Sequence, residues 1–180
     1  MWWALIQQYW QICIFKRSPA DTPHSHFLLI VVLCLFLFIL VMQWEMVDFE
    51  QQFSLLSTFA AAISLVISYG LYTFILLYSL NLSNRFIQTV TCLYASHLIV
   101  HILAFPLIVA TPYLGSEIAP KFAPTLFALL YLLLALSLTI WQFMLAAYIY
   151  KKAISTHYFS AVLASFGLLA TNMLMVSFWR

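Results

Sequence analysis

Charge is what this chain has least of. Lys, Arg, Asp and Glu make up 7% of its 180 residues, while 66% are hydrophobic and the mean hydropathy is +1.03. Soluble domains carry roughly 25% charged residues, so a water-soluble globular domain is excluded. The net charge of +2 is small and scattered, which gives nucleic acid nothing to bind. Cysteine is also sparse. Cys13, Cys34 and Cys92 are far apart and form no CxxC or Cys/His cluster, so neither a disulfide nor a zinc site is predicted.

Catalytic signatures are missing too. The sequence holds no GxSxG, no HExxH and no phosphate loop, which removes the usual serine-hydrolase and metalloprotease constellations. No pair of carboxylates is placed for acid–base work inside an apolar segment. No inverted repeat is visible, and half-helices with central Gly/Pro breaks are missing apart from Pro106, so the broken-helix plan of a secondary transporter is not predicted. No cofactor is implied, and no enzyme is predicted.

What the chain does have is five long apolar segments free of Lys, Arg, Asp and Glu, at about residues 27–44, 53–80, 86–110, 122–150 and 154–179. About 20 apolar residues at 1.5 Å rise cross a ~30 Å hydrocarbon core. The expected fold is therefore all-α, a polytopic transmembrane bundle of five spans over residues 27–180. Residues 1–26 precede it. Within them, residues 1–15 are apolar but too short to span, with Gln7, Gln8 and Gln11 on one helical face. They read as an interfacial helix on the membrane or, equally, as a helix packed against the bundle. Pro19 and Pro23 break the polar stretch 16–26. Lys16 and Arg17 follow the first apolar stretch, and no small-residue cleavage site stands before Phe27, so a signal peptide is not predicted.

The basic residues orient the spans. With a cytoplasmic N-terminus, Lys16, Arg17, Arg85, Lys151 and Lys152 fall inside, and Lys121 and Arg180 outside. The positive-inside rule selects that arrangement, with a periplasmic C-terminus. Glu45, Asp48, Glu50 and Glu117 then lie outside, and the Asn81-Leu82-Ser83 sequon faces the cytoplasm. Close helix packing in lipid depends on small residues. Ala60, Ser64 and Ser68 in the second span, with Ser57 and Ala61 beside them, form one such stripe. Ser160, Ala161, Ala164, Ser165, Gly167 and Thr171 form another in the fifth. The first span has none and is expected to face lipid over much of its surface.

Few polar groups remain as site candidates. His97 and His101 stand i, i+4 on one face of the third span. Such a pair can share a metal or haem iron, form a protonatable gate, or make hydrogen bonds between helices. Two imidazoles supply half of a closed metal site. Arg85, Gln88, Thr89 and Thr91 crowd the start of the same span. They read either as a contact for lipid phosphate or a partner, with Arg17, Asp21 and Ser25 as its other half, or as a snorkelling Arg with interhelical hydrogen bonds. Gln142 and Asn172 are lone intramembrane amides, the residue type that joins helices within a chain or between copies. Pro106 is expected to kink the third span.

Several features of the chain resemble a family. Arg17-Ser18-Pro19-Ala20-Asp21-Thr22-Pro23-His24-Ser25 is similar to the R-x-P-x-D-x-P-x-S stretch that precedes the first span in a group of small proteobacterial inner-membrane proteins. Arg85-Phe86-Ile87-Gln88-Thr89-Val90-Thr91-Cys92-Leu93 resembles the R-F-x-Q-T-x-T-A-L start of their third span, and Pro106 and Trp141 fall in matching places. That group resembles in plan the Yip (Ypt-interacting protein) family, with five spans and a cytoplasmic N-terminus. The resemblance implies an inner-membrane location and an architecture, and it brings no catalytic residue. The functions it leaves open are a scaffold or assembly factor that binds membrane proteins or lipid, a channel or transporter subunit gated at His97 and His101, and a redox subunit using that pair.

Overall fold

The computed structural model describes residues 2–47, 54–111 and 123–179. Asp48, Glu50, Glu117, Lys121 and Arg180, used above to weigh the charge balance, lie outside them. Six helices follow in order: α1 (Trp2–Cys13), α2 (His26–Val47), α3 (Leu55–Ser79), α4 (Phe86–Ala110), α5 (Ala123–Ile154) and α6 (Tyr158–Ser177). Short 3-10 turns at Pro19–Asp21 and Ser83–Arg85 precede α2 and α4. Five of the helices are long and apolar enough to cross a membrane. The fold is a polytopic helical bundle of five spans.

Helix ends deviate from the apolar runs where backbone geometry, rather than hydropathy, sets them. The fourth span runs on through Lys151 and Lys152 to Ile154, and the fifth starts at Tyr158. Ser155 stands between them at φ 54°, and the Thr156 N–H returns to the Lys151 carbonyl at 3.3 Å. This six-to-one bond across a left-handed residue is the Schellman stop. It recurs at Phe15 (φ 61°, Lys16 N–H to Gln11 O, 2.9 Å) and at Asn81 (φ 58°, Leu82 N–H to Leu77 O, 2.8 Å). None of the three is glycine, and each left-handed residue costs about 1–2 kcal/mol. Of the stopped helices, α3 and α5 end on one side of the bundle, whereas α1 ends against Trp141, well inside α5. Lys16, Arg17, Arg85, Lys151 and Lys152 belong to the side where α3 and α5 end, called the basic end below.

α4 is the centre of the bundle. Every residue from Thr89 to His97 is buried, as is Val100. A helix enclosed on all faces needs no amphipathic pattern. α2 lies along it in the most extensive pairing of the fold, through Leu28, Val32, Phe36, Leu40 and Gln43. The remaining faces of α2 are open at Phe27, Ile30, Leu35, Phe38 and Met42. α2 thus keeps open faces, but it also makes a close seam that no small-residue stripe announced. On α4 that seam is made by Tyr94, His97 and His101, which meet Phe36 and Gln43 of α2.

The two small-residue stripes meet each other. α3 packs on α6, with Ala61, Ala62, Ser68, Ala161, Ala164 and Ser165 buried. Gly167 takes the tip of Tyr72, and a Cβ there would lie 2.8 Å from the Tyr72 ring carbon Cζ. Tyr72 then donates to the Ala164 carbonyl at 2.7 Å. α1 docks on α4 through Tyr9, Ile12 and Cys13 and leaves Trp3, Ile6 and Trp10 exposed. Of the two placements open in the sequence, α1 therefore packs on the bundle and keeps an apolar outer face. α4 continues through Pro106 to Ala110. α5 joins the core only near the basic end, at Leu145, Ala146, Ala147, Ile149, Tyr150 and Ala153. From Leu126 to Met144 it buries no residue.

Candidate functional site

Two places gather the polar side chains. The first is inside the spans. The His101 ring nitrogen Nδ1 lies 2.6 Å from Gln43 Oε1, and Gln43 Nε2 donates to the His101 carbonyl at 2.7 Å. One amide therefore grips both the ring and the backbone of a single residue. The second bond fixes the amide orientation, because a carbonyl needs the NH₂ group. Gln43 thus offers the ring its oxygen, and the proton of His101 is on Nδ1. His97 Nδ1 lies 2.8 Å from the Leu93 carbonyl of the preceding turn, so its proton is on Nδ1 as well. Each imidazole keeps its acceptor lone pair on Nε2.

The ring of His97 sits edge-on to Tyr69 at 5.0 Å between centroids, and Phe36 packs against both histidines. Tyr69 in turn faces the side-chain amides of Gln142 and Asn172. The Asn172 Oδ1 accepts from the Ser68 hydroxyl at 2.7 Å. The two histidines and the two amides, separate in the sequence, therefore form one polar and aromatic core spanning α2, α3, α4, α5 and α6. Tyr94 donates to the Val66 carbonyl at 2.8 Å, and Thr73 and Tyr150 pair at 2.9 Å. Among the described residues, no group of three or more His, Cys, Asp or Glu gathers, so His97 and His101 bring two imidazole nitrogens and no third donor of those types.

Gln43 escaped the sequence reading, in which Tyr69 counts as no more than a packing or interface aromatic. Gln43 could have been found by the rule that singled out Gln142 and Asn172, since it is a lone amide in the first span's last turns. Tyr69 could not, because it is one of ten tyrosines and only its neighbours set it apart.

The second place is the basic end. Arg85 caps α5 from outside, with Nη1 donating to the Ala153 carbonyl at 2.7 Å and to the Ser155 hydroxyl at 2.9 Å. A cation over the carbonyl end of a helix meets its negative pole. Gln88 Nε2 donates to the Thr22 carbonyl at 2.8 Å, and Thr22 Oγ1 donates to the Pro19 carbonyl at 2.7 Å. Thr22 also lies 3.5 Å from Cys92 Sγ. These bonds hold the proline segment against the start of α4. Thr89 returns its hydroxyl to the Arg85 carbonyl at 2.8 Å, and Thr91 does the same to Ile87.

Of the proposed other half, each residue takes a distinct part. Arg17 accepts from the Tyr148 hydroxyl through its carbonyl at 3.1 Å, and Asp21 accepts from Gln8 through its carbonyl at 2.8 Å. Both side chains are exposed. Ser25 Oγ accepts from the Leu28 N–H at 3.3 Å, so this serine caps α2. Between the proline segment and the ends of α4 and α5 lies a cleft of about 200 Å³, lined by Pro19, Arg85, Gln88, Thr89, Lys152 and Ser155 among others.

The fold and these two polar regions define an all-helical, multi-pass membrane protein. No protein-family model, curated protein or solved structure matches the chain.

Proposed function

We propose that this chain is a non-enzymatic accessory or scaffold protein of the bacterial inner membrane, Yip-like in plan, that docks other membrane proteins or lipid. The observation that supports this reading is how the intramembrane polar groups are spent. His101 is gripped by Gln43, Asn172 is held by Ser68, and Tyr69 is faced by two amides. Interhelical hydrogen bonds in membranes are worth about 0.6 kcal/mol on average and up to ~1.7. Polar contacts of that size fit a rigid bundle that presents helix faces to partners.

The test is purification of the tagged chain from its own membranes in mild detergent, with mass spectrometry of what accompanies it. A stoichiometric membrane-protein partner is the expected result. A homo-oligomer with neither protein nor lipid attached would overturn the reading. The double substitution His97→Leu and His101→Leu separates the alternatives. Partner retention unchanged, with melting lowered by no more than a few degrees, is expected of histidines that serve only packing. Loss of an ion flux, or of bound metal or haem, at unchanged stability would hand the pair a gating or redox role instead.

A further inference from the structure

We propose that the cleft at the basic end is a binding site for a phosphate group, supplied by the headgroup of a membrane lipid. Arg85 and Lys152 both line it. Both hydrogen bonds that anchor Arg85 leave from Nη1. The Nε–Nη2 edge of the guanidinium carries no hydrogen bond among the described residues, and that planar edge matches two phosphate oxygens. Lys152 is exposed, near the face of Tyr148 at 5.8 Å from its ring centroid. It can therefore swing over the mouth at the cost of one loose cation–π contact. Gln88 and Ser155 add neutral donors at the wall.

The surrounding charge favours an anion. Lys16, Arg17, Arg85, Lys151 and Lys152 share this end with Asp21 as the one acid between residues 1 and 26, and its side chain points into solvent. The depth favours a lipid as the source of the phosphate. The cleft lies where α3 and α5 stop and α4 and α6 begin, which is the headgroup level for helices of spanning length. Exposed Tyr78 and Tyr158 mark the same level, and Lys151 Nζ sits 3.1 Å above the Tyr158 ring. Aromatic rings with a polar tip favour that zone, and basic pockets at helix ends suit anionic headgroups.

This inference rests on the membrane reading and on no particular protein partner, so failure to find such a partner leaves its test intact. The test is native mass spectrometry of the full chain in detergent, titrated with dioleoylphosphatidylglycerol, with phosphate-free dioleoylglycerol, or with inorganic phosphate. One phosphatidylglycerol is expected to bind about tenfold more tightly than dioleoylglycerol, and Lys152→Gln is expected to weaken it three- to tenfold. Arg85→Gln should abolish the preference. Because Arg85 also caps α5, Arg85→Lys and the exposed Lys152→Gln keep the question answerable if Arg85→Gln fails to fold. Equal binding of the two lipids, or binding unchanged in both Lys152→Gln and Arg85→Lys, would overturn the site. Retention of inorganic phosphate without phosphatidylglycerol would overturn the lipid as its source.

Discussion

Single residues matter in this protein where two helices come closest. Gly167 is one such point, because the Tyr72 hydroxyl and ring occupy the space a side chain would need. Gly167→Ala must push Tyr72 out of its bond to the Ala164 carbonyl. Overpacking of this kind costs about 1–3 kcal/mol. The expected outcome is a lower melting temperature in detergent, partly restored by Tyr72→Phe, which removes the nearest atom. No rescue in the double variant would show that the clash lies elsewhere. The stripe that holds Gly167 was legible in the sequence as small residues at helical spacing. Tyr72 was not, because nothing in its own segment says which of several tyrosines points into the seam.

Among the elements, α1 is the one whose attachment rests on few contacts. Its last turn is tied to α5 by the Trp141 indole, which donates to the Cys13 carbonyl at 3.0 Å, and by the edge of Trp10 on Trp141 at 6.4 Å. Tyr9 and Cys13, one turn apart, fill the groove on α4. Burial pushes the Cys13 thiol from 9.0 up to about 12, and neighbouring Cys92 adds to the rise. Below pH 9 the thiol is neutral both folded and unfolded. Between pH 9 and about 12 only the unfolded chain ionises it, so α1 docking weakens as pH rises through that window. In a Cys34→Ser background, iodoacetamide at pH 8 should leave Cys13 unlabelled in the folded protein. Trp141→Ala should release α1 and raise the labelling rate several-fold, and rapid labelling before that substitution would show that α1 is not docked. The sequence left the interfacial and packed placements open because both want the same apolar face. Trp141, on another helix, decides between them.

At the scale of the whole molecule, charge and packing are distributed unequally. Five of the seven basic residues lie at one end, where the Schellman stops of α3 and α5, the Arg85 cap and the buried part of α5 also lie. The other half of α5, Leu126 to Met144, buries no residue. The basic end should face the cytoplasm, since translocating Lys and Arg is what the positive-inside rule disfavours. A reporter fused after Arg180 should then be active as alkaline phosphatase and dark as green fluorescent protein, whereas the converse would invert the topology. Removing Arg85, Lys151 and Lys152 together should blur that result by leaving the two sides nearly balanced.

The existence and number of the spans were written in the chain alone, because a charge-free run of spanning length has no other low-energy place than a bilayer and satisfies its own backbone there as a helix. The seams on α3 and α6 were also legible, because small side chains are what lets helices approach in lipid. Which helix lies at the centre was not. α2, α4 and α5 carry apolar residues on every face, so periodicity cannot tell an enclosed helix from one bathed in lipid. Tertiary packing alone put α4 inside, left most of α5 outside, and joined His97, His101, Gln142 and Asn172 into one core through Gln43 and Tyr69. Those pairings depend on the rotation of each helix about its axis, and that rotation is set by contacts between segments distant in the chain.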